Sequence, residues 1–317
     1  MSANKVLITT SSFGAKDKAS LDALRDAGCT AVLNPFGRTL TEAEIAALLT
    51  EHQPVGLIAG LEPLTEAVMQ GAVAHLKVIS RCGTGLDNVD LLAAKRLGIA
   101  VLNTPAAPAE AVAELSLGLI LALIRNVVAH DQLVRSGTWT KRMGLLLSEI
   151  TVGIVGLGRV GRRVAAILRP LGTKVVATDV MPDHDWIAAH GVSLMTLPQL
   201  LAASHVVSLH LPYASGDLHR LMNAQRIAAM KPGSFLINTS RGALIDEQAV
   251  SDALHSGHLA GAAIDTFEQE PYTGLLLQAP NVILSPHAGS YARATRNRME
   301  LEAAQNLVTG LAKATQT

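Results

Sequence analysis

Short β-branched runs alternate along the whole chain with Ala/Leu-rich stretches whose apolar residues recur at helical spacing. That is the pattern of parallel sheets joined by crossover helices, so the fold class read from it is α/β with doubly wound parallel sheets. In the first hundred residues it predicts strands at Lys5–Thr9, Ala31–Asn34, Val55–Ala59, Lys77–Ser80 and Ile99–Asn103. Helices are predicted near Lys18–Ala27, Thr41–Thr50, Leu64–Ala74 and Leu91–Leu97. The second of these opens on Thr41 and Glu44, the spacing at which each side chain satisfies the other residue's free amide. A long helix is expected from Ala109 to about Val134, apolar on most of its surface between Val112 and Ile124 and so buried between layers. The alternation then restarts, with strands at Thr151–Val155, Thr173–Thr178, Val192–Met195, Val206–Leu209, Ser234–Asn238, Ala262–Asp265 and Val282–Leu284. A closing helix, Ala292–Ala312, lines up Met299, Ala303, Leu307, Val308 and Leu311 on one face and needs a surface to dock on.

Composition narrows the function. The 317 residues suit about two domains, and at 49% hydrophobic and 16% charged the chain builds a large core without metal or disulfide staples. Lys plus Arg and Asp plus Glu both number 26, which leaves no net field for nucleic acid or an anionic membrane. An aromatic content of 3% also argues against a base-stacking platform. Two cysteines, Cys29 and Cys82, make no disulfide framework and fit a cytoplasmic protein. The longest apolar stretch, Leu115 to Ile124, is about half the roughly 20 residues of a membrane span. His255 and His258 have ligand-like spacing without a carboxylate or thiol beside them, and no metal site is expected.

The sharpest motif is Gly156-Leu-Gly158-Arg-Val-Gly161, running out of the predicted strand Thr151–Val155 into a helix. Gly156 permits a tight turn, Gly158 lets the backbone approach a diphosphate, and Gly161 lets helix and strand pack closely. The helix N-terminus then offers unpaired amides to the phosphates. Asp179 ends the next strand, near the spacing expected of an acid that binds the adenosine ribose, and Val180-Met181-Pro182 brings no cation for a 2′-phosphate. The cofactor expected is NAD rather than NADP. Three further strand ends carry chemistry: Asn238-Thr-Ser-Arg241-Gly242, Asp265 to Glu270-Pro271, and Ser285-Pro-His287-Ala-Gly289. An Arg to fork a carboxylate, a His to carry a proton and a Glu to orient it form the set that hydride transfer to a 2-oxo acid requires.

With Arg81-Cys-Gly-Thr-Gly-Leu-Asp-Asn88 and Asn103-Thr-Pro105 added, the chain resembles the D-isomer-specific 2-hydroxyacid dehydrogenases over almost its whole length, most of all the D-3-phosphoglycerate dehydrogenase branch. The resemblance implies two Rossmann-like domains: a cofactor domain at 104–284 inserted into a substrate domain of 1–103 and 285–317. It implies that Arg241 holds the substrate carboxylate, His287 donates the proton and Glu270, rather than Glu268, pairs with that His. The amides of Thr84 and Gly85 complete the carboxylate site, with Asn103 beside them. Arg159 and Val160 lie over the diphosphate, Thr239 and Ser240 line the nicotinamide pocket, and Asp265 and Gly289 flank the carboxamide.

It also implies a two-fold dimer through the helix from Ala109, lobe closure during turnover, a chain that stops where the catalytic unit stops, and Lys141 reaching a neighbouring subunit's site. Cys82 is expected to be buried and inert. Where phosphoglycerate dehydrogenases carry an arginine after the third strand, this chain reads Ala59-Gly60-Leu61-Glu62-Pro63. Glu62 is therefore expected either to repel a substrate phosphate, unless Lys141 or Arg142 compensates, or to point to solvent. Glyoxylate, hydroxypyruvate or a sulfonated analogue then stand level with the phosphorylated acid. Two rival readings are a dimeric NAD-sensing binding protein of the corepressor type and a dehydrogenase of phosphite or formate on the same fold. The first would need docking surfaces or tails that the sequence lacks, and the second would use an Arg and a His as well.

Overall fold

The computed structural model describes residues 4–212 and 218–314. They fold as two compact units: the first runs to Pro108 and resumes at Tyr291, and the second is Ala109–Ser290. In the first unit, strands β1 (Asn4–Ile8), β2 (Cys29–Leu33), β3 (Gly56–Ala59), β4 (Val78–Arg81) and β5 (Ala100–Asn103) form a parallel sheet in the order β2-β1-β3-β4-β5. The inner strands β3 and β4 are buried at every position, as unbroken apolar runs between helical layers must be. Crossovers are made by α1 (Ala19–Asp26), α2 (Glu42–His52), α3 (Glu66–Ala72) and α4 (Leu91–Arg96). The expected capping box at the start of α2 is present, with Glu44 accepting from the Thr41 amide at 2.8 Å.

In the second unit, α5 (Ala109–Ile124), α6 (Val127–Arg135), β6 (Thr151–Val155), α7 (Arg159–Leu168), β7 (Lys174–Thr178), α8 (His184–Ala189), β8 (Ser193–Leu194), α9 (Leu197–Ala203), β9 (Val206–Leu209), α10 (Ala224–Ala228), β10 (Ser234–Asn238), α11 (Glu247–His255), β11 (Leu259–Ile264) and β12 (Val282–Leu284) build a second parallel sheet. Its order is β12-β11-β10-β9-β6-β7-β8, so the winding reverses beside β6, where open parallel sheets have their ligand crevice. The last helix, α12 (Arg293–Ala314), packs Met299, Ala303, Ala304 and Leu307 onto Val6, Ile8, Ile58 and Val78 of the first sheet. Gly56 and Gly310 allow this close approach, because a Cβ on either would come within 2.9 Å of Leu307 or Val78.

Two predicted elements differ. The strand expected over Val192–Met195 is only Ser193–Leu194, an exposed edge pairing with β7 alone. The single helix expected from Ala109 to Val134 is two helices meeting at a bend of 57°. Asn126 adopts a left-handed φ of 53°, and the Ile124 carbonyl accepts from the amide of Leu145 at 2.9 Å. A returning segment thus satisfies the end of α5 that a further helical turn would have used. No single described helix is long and apolar enough to cross a membrane; α5 and α6 reach that composition only as this bent pair.

Candidate active site

The glycine-rich turn is built as its spacing requires. Gly156 has φ 96°, and a Cβ there would lie 2.6 Å from the His210 carbonyl oxygen; a Cβ on Gly161 would lie 2.0 Å from the carbonyl oxygen of Gly156. Gly158 faces open space and caps α7, so the amides of Arg159 and Val160 in the first turn have no intrahelical acceptor. Asp179 follows β7 and accepts from the Leu157 amide at 2.6 Å and the Met181 amide at 2.8 Å. Each oxygen keeps lone-pair capacity for a ribose hydroxyl. The carboxylate borders a cavity of about 440 Å³ lined by Thr178, Leu194, Met195, Thr196 and Gln199. An anion-seeking helix start, a backbone without Cβ atoms and a carboxylate beside an open cavity fit a dinucleotide.

At the strand ends, Glu270 and His287 meet although 17 residues separate them, with Nδ1 of His287 at 2.9 Å from Oε2 and 3.1 Å from Oε1. An ionised Glu270 makes Nδ1 the donor, so Nε2 stands outside this pairing. Burial pushes the Glu270 carboxyl up, but the hydrogen bond and charge of His287, the Phe267 amide and the charge of Arg241 outweigh it and hold it below the usual carboxylate value. His287 sits at a left-handed φ of 53°, a conformation rare for a residue with a Cβ. Its amide donates to the carbonyls of Asp265 (2.8 Å) and Ser285 (3.0 Å).

Asp265 does more than its motif position implied. It is fully buried and accepts from the Ser285 hydroxyl at 2.5 Å and from the amides of Ala288 at 2.8 Å and Gly289 at 2.9 Å, which fastens the turn that carries His287. Arg241 follows β10 and donates through Nη1 to the Ser240 carbonyl at 2.7 Å. Gly242 next to it lies against the Phe267–Glu268 peptide, whose atoms a Cβ would overlap at 1.9–2.4 Å. Thr239 and Ser240 are buried; the Thr239 hydroxyl lies 3.0 Å from that of Ser116 on α5, and the Ser240 hydroxyl donates to the Leu209 carbonyl at 2.5 Å.

Two buried groups escaped sequence reasoning. Ser116 falls inside an apolar helical stripe that hides a hydroxyl. His210, beside the glycine turn, has Nε2 2.8 Å from the Ser208 hydroxyl and a buried Nδ1 without a partner, and burial pulls its pKa down to about 3. Of the two spaced histidines, His255 Nδ1 lies 2.9 Å from the Ser251 carbonyl one turn back, and His258 Nε2 lies 3.0 Å from the distant Ile227 carbonyl.

In the first unit, Thr84 and Gly85 lie in the turn after β4, and Asn103 Nδ2 donates to the Thr84 carbonyl at 2.7 Å, so that side chain braces the turn. Cys82 is buried, and burial pushes its thiol up to about 11. The expectation that Glu62 faces either a substrate phosphate or solvent fails, because the residue is 0% exposed. The turn after β3 folds it inward, where Oε1 accepts from the Thr9 hydroxyl and from the Gly60 amide at 3.1 Å. Lys141 is exposed in the second unit, in the stretch between α6 and β6.

Fold and site together fit a nicotinamide-dependent dehydrogenase with a carboxylate-paired histidine at its strand ends. Residues 117–289 match the family described as D-isomer specific 2-hydroxyacid dehydrogenase, NAD binding domain. The chain is 38% identical over 245 residues to glyoxylate reductase of Aeropyrum pernix, covering 74% of this chain and 73% of that protein. It is 34% identical over 271 residues to D-3-phosphoglycerate dehydrogenase of Synechocystis sp., covering 84% of this chain but only about half, 48%, of that longer protein. D-lactate dehydrogenase from Aquifex aeolicus, solved as a complex with NAD and lactic acid, superposes with a TM-score of 0.83 at 27% identity over 98% of this chain and 96% of that one. The chain belongs to the D-isomer-specific 2-hydroxyacid dehydrogenases, and its cofactor is NAD.

Proposed function

We propose that the protein interconverts a small, unphosphorylated 2-hydroxy acid, of D configuration where C2 is chiral, and its 2-oxo acid, with glyoxylate, hydroxypyruvate or a sulfonated analogue as the oxo acid. The observation that carries this reading is the His287–Glu270 pair, 2.9 Å apart at the strand ends beside Arg241, with Nε2 left to face a substrate. NAD bound at the Gly156–Gly161 turn supplies or accepts the hydride. Arg241 forks the substrate carboxylate, and the amides of Thr84 and Gly85, with Asn103, bind the same group. In reduction His287 donates its proton from Nε2 to the carbonyl oxygen, while Glu270 accepts from Nδ1, fixes the ring and stabilises the imidazolium. In oxidation His287 takes the hydroxyl proton back. Asp265 holds the His287 turn and, with Gly289, Thr239 and Ser240, borders the nicotinamide; Arg159 and Val160 receive the diphosphate.

Against a phosphorylated substrate stands the loop Ala59-Gly60-Leu61-Glu62-Pro63, which holds no cation and whose one charged side chain is buried. The similarity to an archaeal glyoxylate reductase points the same way. The test is kcat/KM for 3-phosphohydroxypyruvate beside glyoxylate, hydroxypyruvate and a sulfonated 2-oxo acid. The small acids are expected to win; a preference of about a hundredfold for the phosphorylated one, the strength of a charge-assisted contact, would overturn the reading. His287→Asn should bind NADH as the parent does and lose about 10² to 10⁴ in turnover.

The same reading makes 104–284 the cofactor domain and 1–103 with 285–317 the substrate domain, and sets the enzyme in a reducing cytoplasm, where Cys29 and Cys82 remain free thiols. It also makes the protein a two-fold dimer. Val127, Val134, Trp139, Met143 and Leu146, on α6 and the stretch after it, are 54–96% exposed, a concentration of large apolar side chains that a partner surface would cover, with Lys141 directed at the neighbouring site.

A further inference from the structure

Glu62 is buried where an isolated carboxyl is costly and where no part of the proposed chemistry uses it. Oε1 receives the Thr9 hydroxyl from the end of β1 and the Gly60 amide from the end of β3. The Thr9 hydroxyl also accepts from the Gly60 amide at 3.2 Å, so the three groups close one knot. Oε2 is buried without a partner and stands 2.9 Å from where a Cβ on Gly60 would be, so a side chain there would have to displace the carboxyl. The main chain of the same turn is held from the other side. Asn88 Nδ2, beyond the glycine-rich turn after β4, donates to the carbonyls of Glu62 at 2.7 Å and Gly60 at 3.3 Å. The guanidinium of Arg81, at the end of β4 and itself buried, packs across Gly83 and brings its positive charge to bear on Glu62. Burial pushes the Glu62 carboxyl up; the Thr9 and Gly60 hydrogen bonds and the Arg81 charge oppose that shift without cancelling it.

Thr84 and Gly85 lie inside the segment delimited by Arg81, Gly83 and Asn88. Asn103 braces the Thr84 carbonyl from β5. The turn that Glu62 folds inward, tied to β1 and β3 by its carboxyl, meets the segment through the Asn88 bonds to its main chain and the Arg81 charge. Burying an acid is justified where it holds a geometry that apolar packing would leave loose. We propose that Glu62 is a positioning residue for the substrate carboxylate, whose buried carboxyl sets the Thr84 and Gly85 amides in place and so determines KM for 2-oxo acids while touching neither substrate nor cofactor. This rests on the proposed role of those two amides.

The experiment compares Glu62→Ala, Glu62→Gln and Thr9→Val with the parent, all as full-length protein. Glu62→Ala is expected to raise KM for glyoxylate about ten- to a hundredfold, the cost of a misplaced charge-assisted contact, with kcat and the Kd for NADH within about threefold. Glu62→Gln keeps an oxygen for Thr9 and Gly60 and should recover most of that loss. Thr9→Val, which removes one donor and nearly preserves volume, should raise KM by about threefold to tenfold and serves should the alanine variant not fold. A fall in kcat at unchanged KM, or unchanged kinetics, overturns the proposal. Amide NMR shifts of Thr84 and Gly85 on titration with oxamate in the presence of NADH separate it from the functional reading. If no 2-oxo acid is reduced, the functional reading fails; if these amides respond to oxamate identically in parent and Glu62→Ala, or not at all in the parent, the positioning role fails.

Discussion

Two carboxylates hold His287 and do different work. Glu270 holds Nδ1, and Asp265 holds the turn beneath it by accepting three hydrogen bonds, which is what stabilises a left-handed backbone at a residue with a Cβ. Removing the charge from Glu270 should therefore weaken catalysis less than removing His287, because the ring loses its partner but keeps its place. Against the opposing effect of burial, the Glu270 carboxyl is held below the usual carboxylate value, chiefly by the hydrogen bond and charge of His287, so its charge persists to lower pH than that of a free glutamate. His210 sets a different acid limit. Its imidazole is neutral in the folded protein down to about pH 3, whereas the unfolded chain binds a proton near 6.5. Between those values the unfolded state holds the extra proton, so stability falls as pH falls, at about 1.4 kcal/mol per pH unit. Thermal unfolding between pH 6.5 and 5 should show a loss of about 2 kcal/mol that His210→Gln largely removes; an equal slope in the variant would place the sensitivity elsewhere.

Among the elements, close backbone approaches decide as much as side chains. Gly242 lies against the Phe267–Glu268 peptide, two residues before Glu270, so a methyl group there must push the two strand ends apart. Gly242→Ala should cost at least about 2 kcal/mol, seen as a drop in melting temperature of roughly 4 °C or more. Activity should suffer beyond that, since Glu270 moves with the displaced peptide. At the bend between α5 and α6, Asn126 is chosen for its left-handed φ and donates through Nδ2 to the Met143 carbonyl at 3.2 Å. Asn126→Gly should be tolerated, while Asn126→Val should cost about 1–2 kcal/mol by differential scanning calorimetry.

For the whole molecule, the exposed apolar residues between Val127 and Leu146 make association the expected state. Sedimentation should give twice the 33.2 kDa chain mass, and Trp139→Glu with Met143→Asp should shift it toward one chain. A monomeric parent would refute the dimer. What could be read from the residues alone were the features set by near neighbours in the chain: apolar runs that become central strands, the Thr41–Glu44 cap, the glycine turn ending at Gly161 and the three strand-end motifs. Each is local, because side-chain periodicity and turn chemistry follow from a few consecutive dihedrals. What only tertiary structure decided depends on segments far apart in sequence. Leu145 reaches the Ile124 carbonyl and ends the helix there; Asp265 finds its donors in the Ser285–Gly289 turn. Glu62, the one acid in its loop and expected to face a phosphate or solvent, is drawn inside because strand order brings Thr9 and Asn88 against its turn. Burial of a loop side chain is set by which strand ends the sheet places side by side, and no periodicity within the loop records that.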